Sequence, residues 1–239
     1  MSIDRQTEKN RIESTSSNWS SLDAEFAHVI NHTYLTLKPY FKGSSCLELG
    51  SADGGMTQFL VDDFQEVVSV DGSESFVSRL KERNIPNLTA ITSFFEDLSL
   101  DQEFDTVILS HILEHVDNPV EILKIAKRYT KKGGVILIDV PNADSFHRLI
   151  GVEMGMLPQK DALNETDVKL GHRRVYTVDL MKEHIRLSGM KLQHWGGHFL
   201  KVLSAGQMKD FSPQLMDAFY NVGRYTPLHA AEIYFVCTH

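Results

Sequence analysis

Between residues 46 and 140, short apolar runs alternate with segments of helical pattern. CLELG, EVVSVDG, NLTAITSF, FDTVILSH and GGVILIDV are dominated by β-branched and other apolar side chains, and none exceeds eight residues. GGMTQFLVDDF, SESFVSRLKERN and NPVEILKIAKRYTKKGG lie between them with apolar side chains at helical spacing. A strand that is apolar throughout is buried on both faces. A parallel sheet covered by helices provides that environment. The predicted class is therefore α/β, with a mostly parallel, doubly wound sheet and helices on both faces. Ser73 is the expected N-cap of its helix, and Lys131, Lys132 and Gly133 are the expected end of the last one. The link EDLSLDQE is short for a crossover helix.

The rhythm starts earlier and resumes later. Residues 22–40 carry Phe26, Val29, Ile30, Tyr34 and Leu37 at helical spacing. From Pro141 to Arg174 no regular pattern is expected, and so long a connection inside a domain is usually functional or mobile. TVDLMKEHIRLSGM then reads as a helix, followed by closing strands in KLQHWGGHFLKV and AAEIYFVCTH with a short helix between them. The expected organisation is a polar, unstructured tail over 1–16 and one domain over 17–239.

The first strand runs into CLELGSADGG, a turn holding Gly50, Gly54 and Gly55. Strand, glycine turn and helix start together form a site for a nucleotide-like ligand: glycine lets the backbone approach, and the helix start exposes N–H groups. Asp71 ends the second strand about 20 residues on, the spacing of a ribose-binding carboxylate. Three details argue against a dinucleotide. Ala52 replaces the middle glycine of a G-x-G-x-x-G run. Asp53 places a carboxylate where a pyrophosphate would be repelled. Glu48 stands in an apolar strand, where a carboxylate needs a partner that a cationic ligand would supply. No G-x-x-x-x-G-K-[ST] run is present.

These segments resemble class I S-adenosylmethionine-dependent methyltransferases of the ubiquinone-biosynthesis type. CLELGSADG is similar to that family's first-strand motif except at Ala52, VVSVDGSE to its second strand, FDTVILSHILEHVDNP to its fourth strand and turn, and GGVILIDVPN to its fifth. The resemblance covers residues 44–142 well and 170–190 loosely. It implies a Rossmann-like seven-stranded sheet with an antiparallel last strand, and S-adenosylmethionine as cofactor. The cofactor set is then Glu48, Gly50, Ser51, Ala52, Asp53, Asp71, Gly72, Phe95, Glu96, Ser110 and His111, the last two at the methionine end. Many members follow strand three with an acid for the adenine amino group; here SFFEDL puts Phe94 near that place.

The reaction implied is methyl transfer to an oxygen or nitrogen of a small metabolite. A helix over about 20–40 is expected to cover the cofactor, and the segment over about 141–175 to cover the substrate. His111, His147 and His172 are the candidate proton acceptors, since imidazole titrates near neutral pH. Asn142, Arg148 and Arg173 are the candidate substrate contacts, and the arginines suggest an anionic acceptor. Leu149, Ile150, Met154, Met156 and Leu157 are expected to pack that segment onto the sheet. His111, Glu114 and His115 match H-x-x-E-H, but a motif of one turn before Asp117-Asn118-Pro119 does not present one helical face, so no metal is assigned. Two alternatives stand beside this reading: an NAD(P)-linked oxidoreductase, and an S-adenosylmethionine-binding partner protein without catalysis.

Net charge is −8, which disfavours a nucleic-acid partner. No apolar run reaches the ~18 residues a membrane span needs. Cys46 and Cys237, both in apolar runs, read as small core residues of a reducing compartment. A cytoplasmic protein with a small-molecule substrate is expected.

Overall fold

The computed structural model describes residues 4–22 and 24–239. Its strands are β1 (Ser45–Leu49), β2 (Glu66–Asp71), β3 (Leu88–Thr92), β4 (Phe104–Ser110), β5 (Thr130–Pro141), β6 (Lys191–His198) and β7 (Glu232–Thr238). The helices are α1 (Arg5–Asn18), α2 (Ala24–Leu37), α3 (Thr57–Asp63), α4 (Glu74–Lys81), α5 (Pro119–Arg128), α6 (Phe146–Glu153), α7 (Glu165–Leu170), α8 (Val178–Ser188), α9 (Ala205–Met208) and α10 (Pro213–Gly223).

All seven strands form one sheet in the order β3-β2-β1-β4-β5-β7-β6. Strands β1 to β5 pair in parallel, and β7 runs antiparallel between β5 and β6. The order reverses between β1 and β4, and ligands bind at the carboxyl ends beside such a switch point. Side chains alternate across the sheet. Leu109 and Ile138 face one side with Ile122 and Ala126 of α5 and Met181 and Ile185 of α8. Ile108 and Leu137 face the other with Leu37 of α2 and Leu60 of α3. Each such fully buried aliphatic side chain contributes roughly 1.5–3 kcal/mol, so the two apolar layers clamp the central strands. Both cysteines are buried and unpaired.

Three segments depart from the sequence reading. Residues 5–18, of which 5–16 were expected within an unstructured tail, form α1, whose N-cap Asp4 accepts from the Thr7 amide. Its one apolar residue, Ile12, gave no core-facing periodicity, so the helix was invisible as an amphipathic pattern. The helix expected to run through Lys131-Lys132-Gly133 stops at Arg128, and those residues open β5. Pairing of Thr130 with Phe104, followed by a register shift, takes that chain into the sheet. Gly133 has φ +88°, and a Cβ on Gly134 would lie 2.8 Å from the Asp105 carbonyl oxygen. Finally, the stretch expected to lack pattern holds α6 and α7.

Candidate functional site

The glycine turn is built around backbone that side chains disfavour. Gly50 has φ +89°, Gly54 φ +96° and Ala52 φ +46°. A Cβ on Gly50 would sit 1.9 Å from Ile112 Cδ1, so the turn after β4 packs on the bare face of Gly50. Gly50 N donates to the Val70 carbonyl at 2.8 Å. Ala52 N donates to Asp71 Oδ2 and Ser73 N to Asp71 Oδ1, both at 2.9 Å. Asp71 therefore fastens the glycine turn to the end of β2. Burial raises its carboxyl to about 6 despite those two amides.

Glu48 lies behind the turn and is 2% exposed. Its Oε2 accepts from Thr57 Oγ1 and Ser69 Oγ, each at 2.6 Å. Among the described residues its Oε1 has no hydrogen-bond partner. Burial raises this carboxyl to about 7, against the pull of the Ser69 and Thr57 hydroxyls. Asp53 turns elsewhere: it accepts from Ser20 Oγ at 2.6 Å and Ser21 N at 2.9 Å, tying the turn to the chain between α1 and α2. Its side chain thus serves the α1–α2 link, and what the turn offers at 53 is backbone.

Helix α1 lies across the same edge. Glu13 accepts from Ser73 Oγ at 3.0 Å and Glu74 N at 2.6 Å. Ile12 stands over Gly72, and Arg5 pairs with Asp97 and lies 5.7 Å over the Phe94 ring. Phe95 is half-buried against the core and Glu96 is exposed. Arg11 donates to the Gly171 carbonyl, and Arg173 joins Glu8 at 2.7 Å. The cover over this edge thus includes α1, which the sequence reading did not foresee; Phe26, Ala24 and Glu25 of the expected 20–40 helix carry side chains outside the described set.

Beyond Gly50 the edge continues into a cluster of ionisable groups. His111, at φ +53°, follows Ser110 at the end of β4, and its amide donates to the Asp139 carbonyl at 2.9 Å. Its Nδ1 is 3.4 Å from Glu114 Oε1, its Nε2 3.4 Å from Asp139 Oδ1 and 3.7 Å from Glu232 Oε2. Asp139 Oδ2 meets His198 Nε2 at 2.9 Å. Burial works against charge on His111, but Glu232, Asp139 and Glu114 hold its pKa well above 6.5. Burial raises Glu232 to about 6, with His111 pulling down and Asp139 pushing up.

The other predicted residues are spoken for. Asn142 gives its amide to the Leu228 and Ala230 carbonyls and accepts from Asp144 N, so it braces β5. Arg148 is buried in the 141–175 segment. It donates to the Lys160 and Ala162 carbonyls and pairs with Asp167 at 3.1 Å. Arg173 donates to the His115 carbonyl at 2.7 Å and Arg174 to those of Leu113 and Val116. These guanidiniums hold loops together and leave no free fork for an anion. His147 is driven to about 3, chiefly by burial and then by Lys201 and Arg148, so it is a poor proton acceptor at neutral pH. His172 faces Asp167 at 3.2 Å and lies edge-on to His115. Met154 and Met156 are 67% and 72% exposed, so they do not pack the segment onto the sheet.

Sequence reading missed Asp139, Glu232 and His198. The signal for the first two was present: a carboxylate inside an apolar run, as with Glu48.

A family model described as a methyltransferase domain matches residues 21–203. The chain belongs to the methyltransferase-domain family. Among its relatives is a ubiquinone biosynthesis O-methyltransferase of Rickettsia typhi, 24% identical over 64% of this chain and 67% of that one. An uncharacterised protein of Methanocaldococcus jannaschii is 32% identical, but the match covers 46% of this chain and about half (51%) of the relative. Two solved structures share the fold. The DhpI–SAM–HEP complex has a TM-score of 0.64 at 14% identity, covering 98% and 97% of the two chains. The CcbJ methyltransferase of Streptomyces caelestis has a TM-score of 0.62 at 14% identity, covering 92% and 99%.

Membership makes the protein a methyltransferase that depends on S-adenosylmethionine, and sets the oxidoreductase alternative aside. The residues fit that cofactor. Asp71 ends β2 beside a glycine turn of positive φ, and Glu48 holds an unpartnered buried oxygen that an ammonium group would satisfy. Among the described residues no helix is long and apolar enough to cross a membrane.

Proposed function

We propose that the protein methylates an oxygen or nitrogen of a small metabolite, held at the carboxyl ends of β4 and β5 beside His111. The observation that carries this is the coupling of Ala52 N to Asp71 Oδ2, which sets a glycine turn and a ribose-type carboxylate against each other at the switch point. S-adenosylmethionine, when bound, supplies a methyl group on a sulfonium that is already a good leaving group. The chain's own task is then alignment and exclusion of water. Gly50, Ser51, Ala52 and Gly72 would offer backbone, Asp71 its carboxylate, and Glu48 a countercharge behind the turn. Ser110 and His111 would face the methionine end.

The acceptor side is lined by His111, Asp139 and Glu232. The Glu232 carboxyl, raised to about 6 by burial, faces His111 there. An oxygen acceptor is favoured by the O-methyltransferase names of several relatives. The anionic character suggested by the arginines has lost its support, because Arg148 and Arg173 are engaged within the protein.

Calorimetric titration with S-adenosylmethionine and S-adenosylhomocysteine is expected to give binding that Asp71→Ala weakens by at least ~10-fold, about 1.4 kcal/mol. Incubation with a panel of phenols, catechols and amines is expected to yield S-adenosylhomocysteine. Binding without turnover on any panel member would favour the non-catalytic alternative; no binding would remove the proposed cofactor contacts.

A further inference from the structure

We propose that His111, Asp139 and Glu232 form a binding site for one divalent transition-metal cation on the acceptor side of the cleft. The turn after β4, the strand β5 and the start of β7 bring one ligand atom each of His111, Asp139 and Glu232 within 4.8 Å of one another. His111 Nε2 lies 3.4 Å from Asp139 Oδ1 and 3.7 Å from Glu232 Oε2. Ligands at about 2.0–2.2 Å from a tetrahedral ion sit roughly 3.3–3.6 Å apart, so the Asp139 spacing matches a shared ion and the Glu232 spacing is slightly wider.

All three atoms are buried and lack a hydrogen-bond partner. Buried polar atoms are nearly always bonded. Three such atoms converge from three elements at ion-pair distance without a hydrogen bond, and one cation in place of the imidazolium proton would satisfy all three. The short His111 contacts are ionic distances without hydrogen-bond alignment.

Asp139 is held from behind, and a carboxylate stands beside the other nitrogen of His111 without a hydrogen bond. His111 Nδ1 faces Glu114 Oε1 at 3.4 Å, and Asp139 Oδ2 meets His198 Nε2 at 2.9 Å. A ligating imidazole usually hands its other nitrogen to a carboxylate, which fixes ring orientation. The left-handed backbone of His111, uncommon for a residue with a side chain, aims the ring between β5 and β7. This division reinterprets the H-x-x-E-H run: Glu114 gives His111 an ion-pair neighbour at 3.4 Å, and the other ligands come from distant strands.

One imidazole and two carboxylates suit a first-row divalent cation such as Zn2+, Mn2+ or Co2+. Asp139 is fully buried, while His111 and Glu232 keep 30% and 12% exposure on their side chains. Parts of the His111 and Glu232 side chains thus reach solvent, while the ligand atoms themselves are buried. The proposal goes beyond the methyl-transfer reading, and its test does not use activity.

The test is titration of chelator-treated protein with Mn2+ by calorimetry and with Co2+ by visible absorption. One ion per chain is expected, with d–d bands for Co2+. Glu232→Gln and Asp139→Asn are expected to weaken Mn2+ binding at least ~30-fold, with folding checked by circular dichroism. His172→Ala, which disrupts the neighbouring Glu114–His115–His172 group, is expected to leave binding unchanged. If Asp139→Asn does not fold, Glu232→Gln decides. No binding by folded wild type at millimolar Mn2+ overturns the proposal, as does binding that survives Glu232→Gln or vanishes in His172→Ala.

Discussion

At the scale of single residues, the carboxylates standing inside apolar strands carry most of the information. Glu48 was legible because leucines flank it and a glycine turn follows. Its folded pKa of about 7 lies above the ordinary 4.5. The sign follows from that: the native state holds a proton that the unfolded chain releases, so this contribution favours folding at low pH and is lost as pH rises from about 4.5 through 7. A ligand carrying an ammonium group reverses the preference by favouring the anion. S-adenosylmethionine affinity is therefore expected to rise as pH goes from 5.5 to 7.5 and then level off. Glu48→Gln is expected to flatten that rise, leaving only what Asp71, raised to about 6, contributes. Calorimetry across this range checks it; superimposable pH curves for the two proteins would sink the idea. Asp139 and Glu232 gave the same kind of signal. What the sequence lacked was any sign that they share a point with His111.

Among the elements, α1 bears directly on the cleft. It has one apolar side chain and is held by polar contacts: Glu13 on Ser73 and Glu74, Arg11 on Gly171, Arg173 on Glu8 and Arg5 on Asp97. The exposed Arg5–Asp97 pair is worth ~0–1 kcal/mol and weakens with salt, and the Arg173–Glu8 pair is partly buried. Elements held by few apolar contacts open at low free-energy cost. Amide exchange in α1 is thus expected to be far faster than in β4 and β5 and to quicken in 0.5 M NaCl. S-adenosylhomocysteine is expected to slow it, since the helix covers the Asp71 and Gly72 edge. Mass-spectrometric hydrogen exchange reads all three effects, and protection of α1 equal to that of β4 would contradict them. The 141–175 segment shows the opposite construction. There Arg148 satisfies two carbonyls and Asp167, a buried knot that a search for apolar periodicity cannot see.

For the whole molecule, the two ends of the sheet divide the work. The carboxyl ends hold the cleft, while the amino ends are fastened by Asp105. Its Oδ2 accepts from Ser44 N, Ser45 N and Ser45 Oγ, and its Oδ1 pairs with Lys131 at 3.1 Å. Burial opposes the charge, but Ser45, Lys131 and the two amides bring the carboxyl down to about 2 from 3.8. A depressed carboxyl stabilises above its unfolded pKa and loses that contribution as pH falls from about 4 through 2. The shift corresponds to ~2 kcal/mol. Asp105→Asn is expected to lower Tm at pH 7 by about 4–8 °C and to blunt the loss of stability below pH 4. Cofactor affinity should change less than ~2-fold, because distant sites are nearly additive. Thermal unfolding across pH 2–7, beside one calorimetric titration, tests both statements.

The sequence by itself determined the α/β class, the strands β1 to β5 and the turn from Gly50 to Gly55, because strand periodicity and glycine backbone freedom act over a few neighbouring residues. The acid at Asp71 belongs with these, its spacing fixed by one strand–helix–strand unit. Only the tertiary structure decided which polar groups are free. It spent Asn142, Arg148 and Arg173 on loop carbonyls, laid an almost wholly polar α1 across the cleft, and gathered His111, Asp139, Glu232 and His198 from four strand ends. Those outcomes depend on which strands become neighbours, and β7 inserts between β5 and β6, pairing Pro141 with Glu232 and His198 with Glu232 across long stretches of chain, which no local pattern encodes.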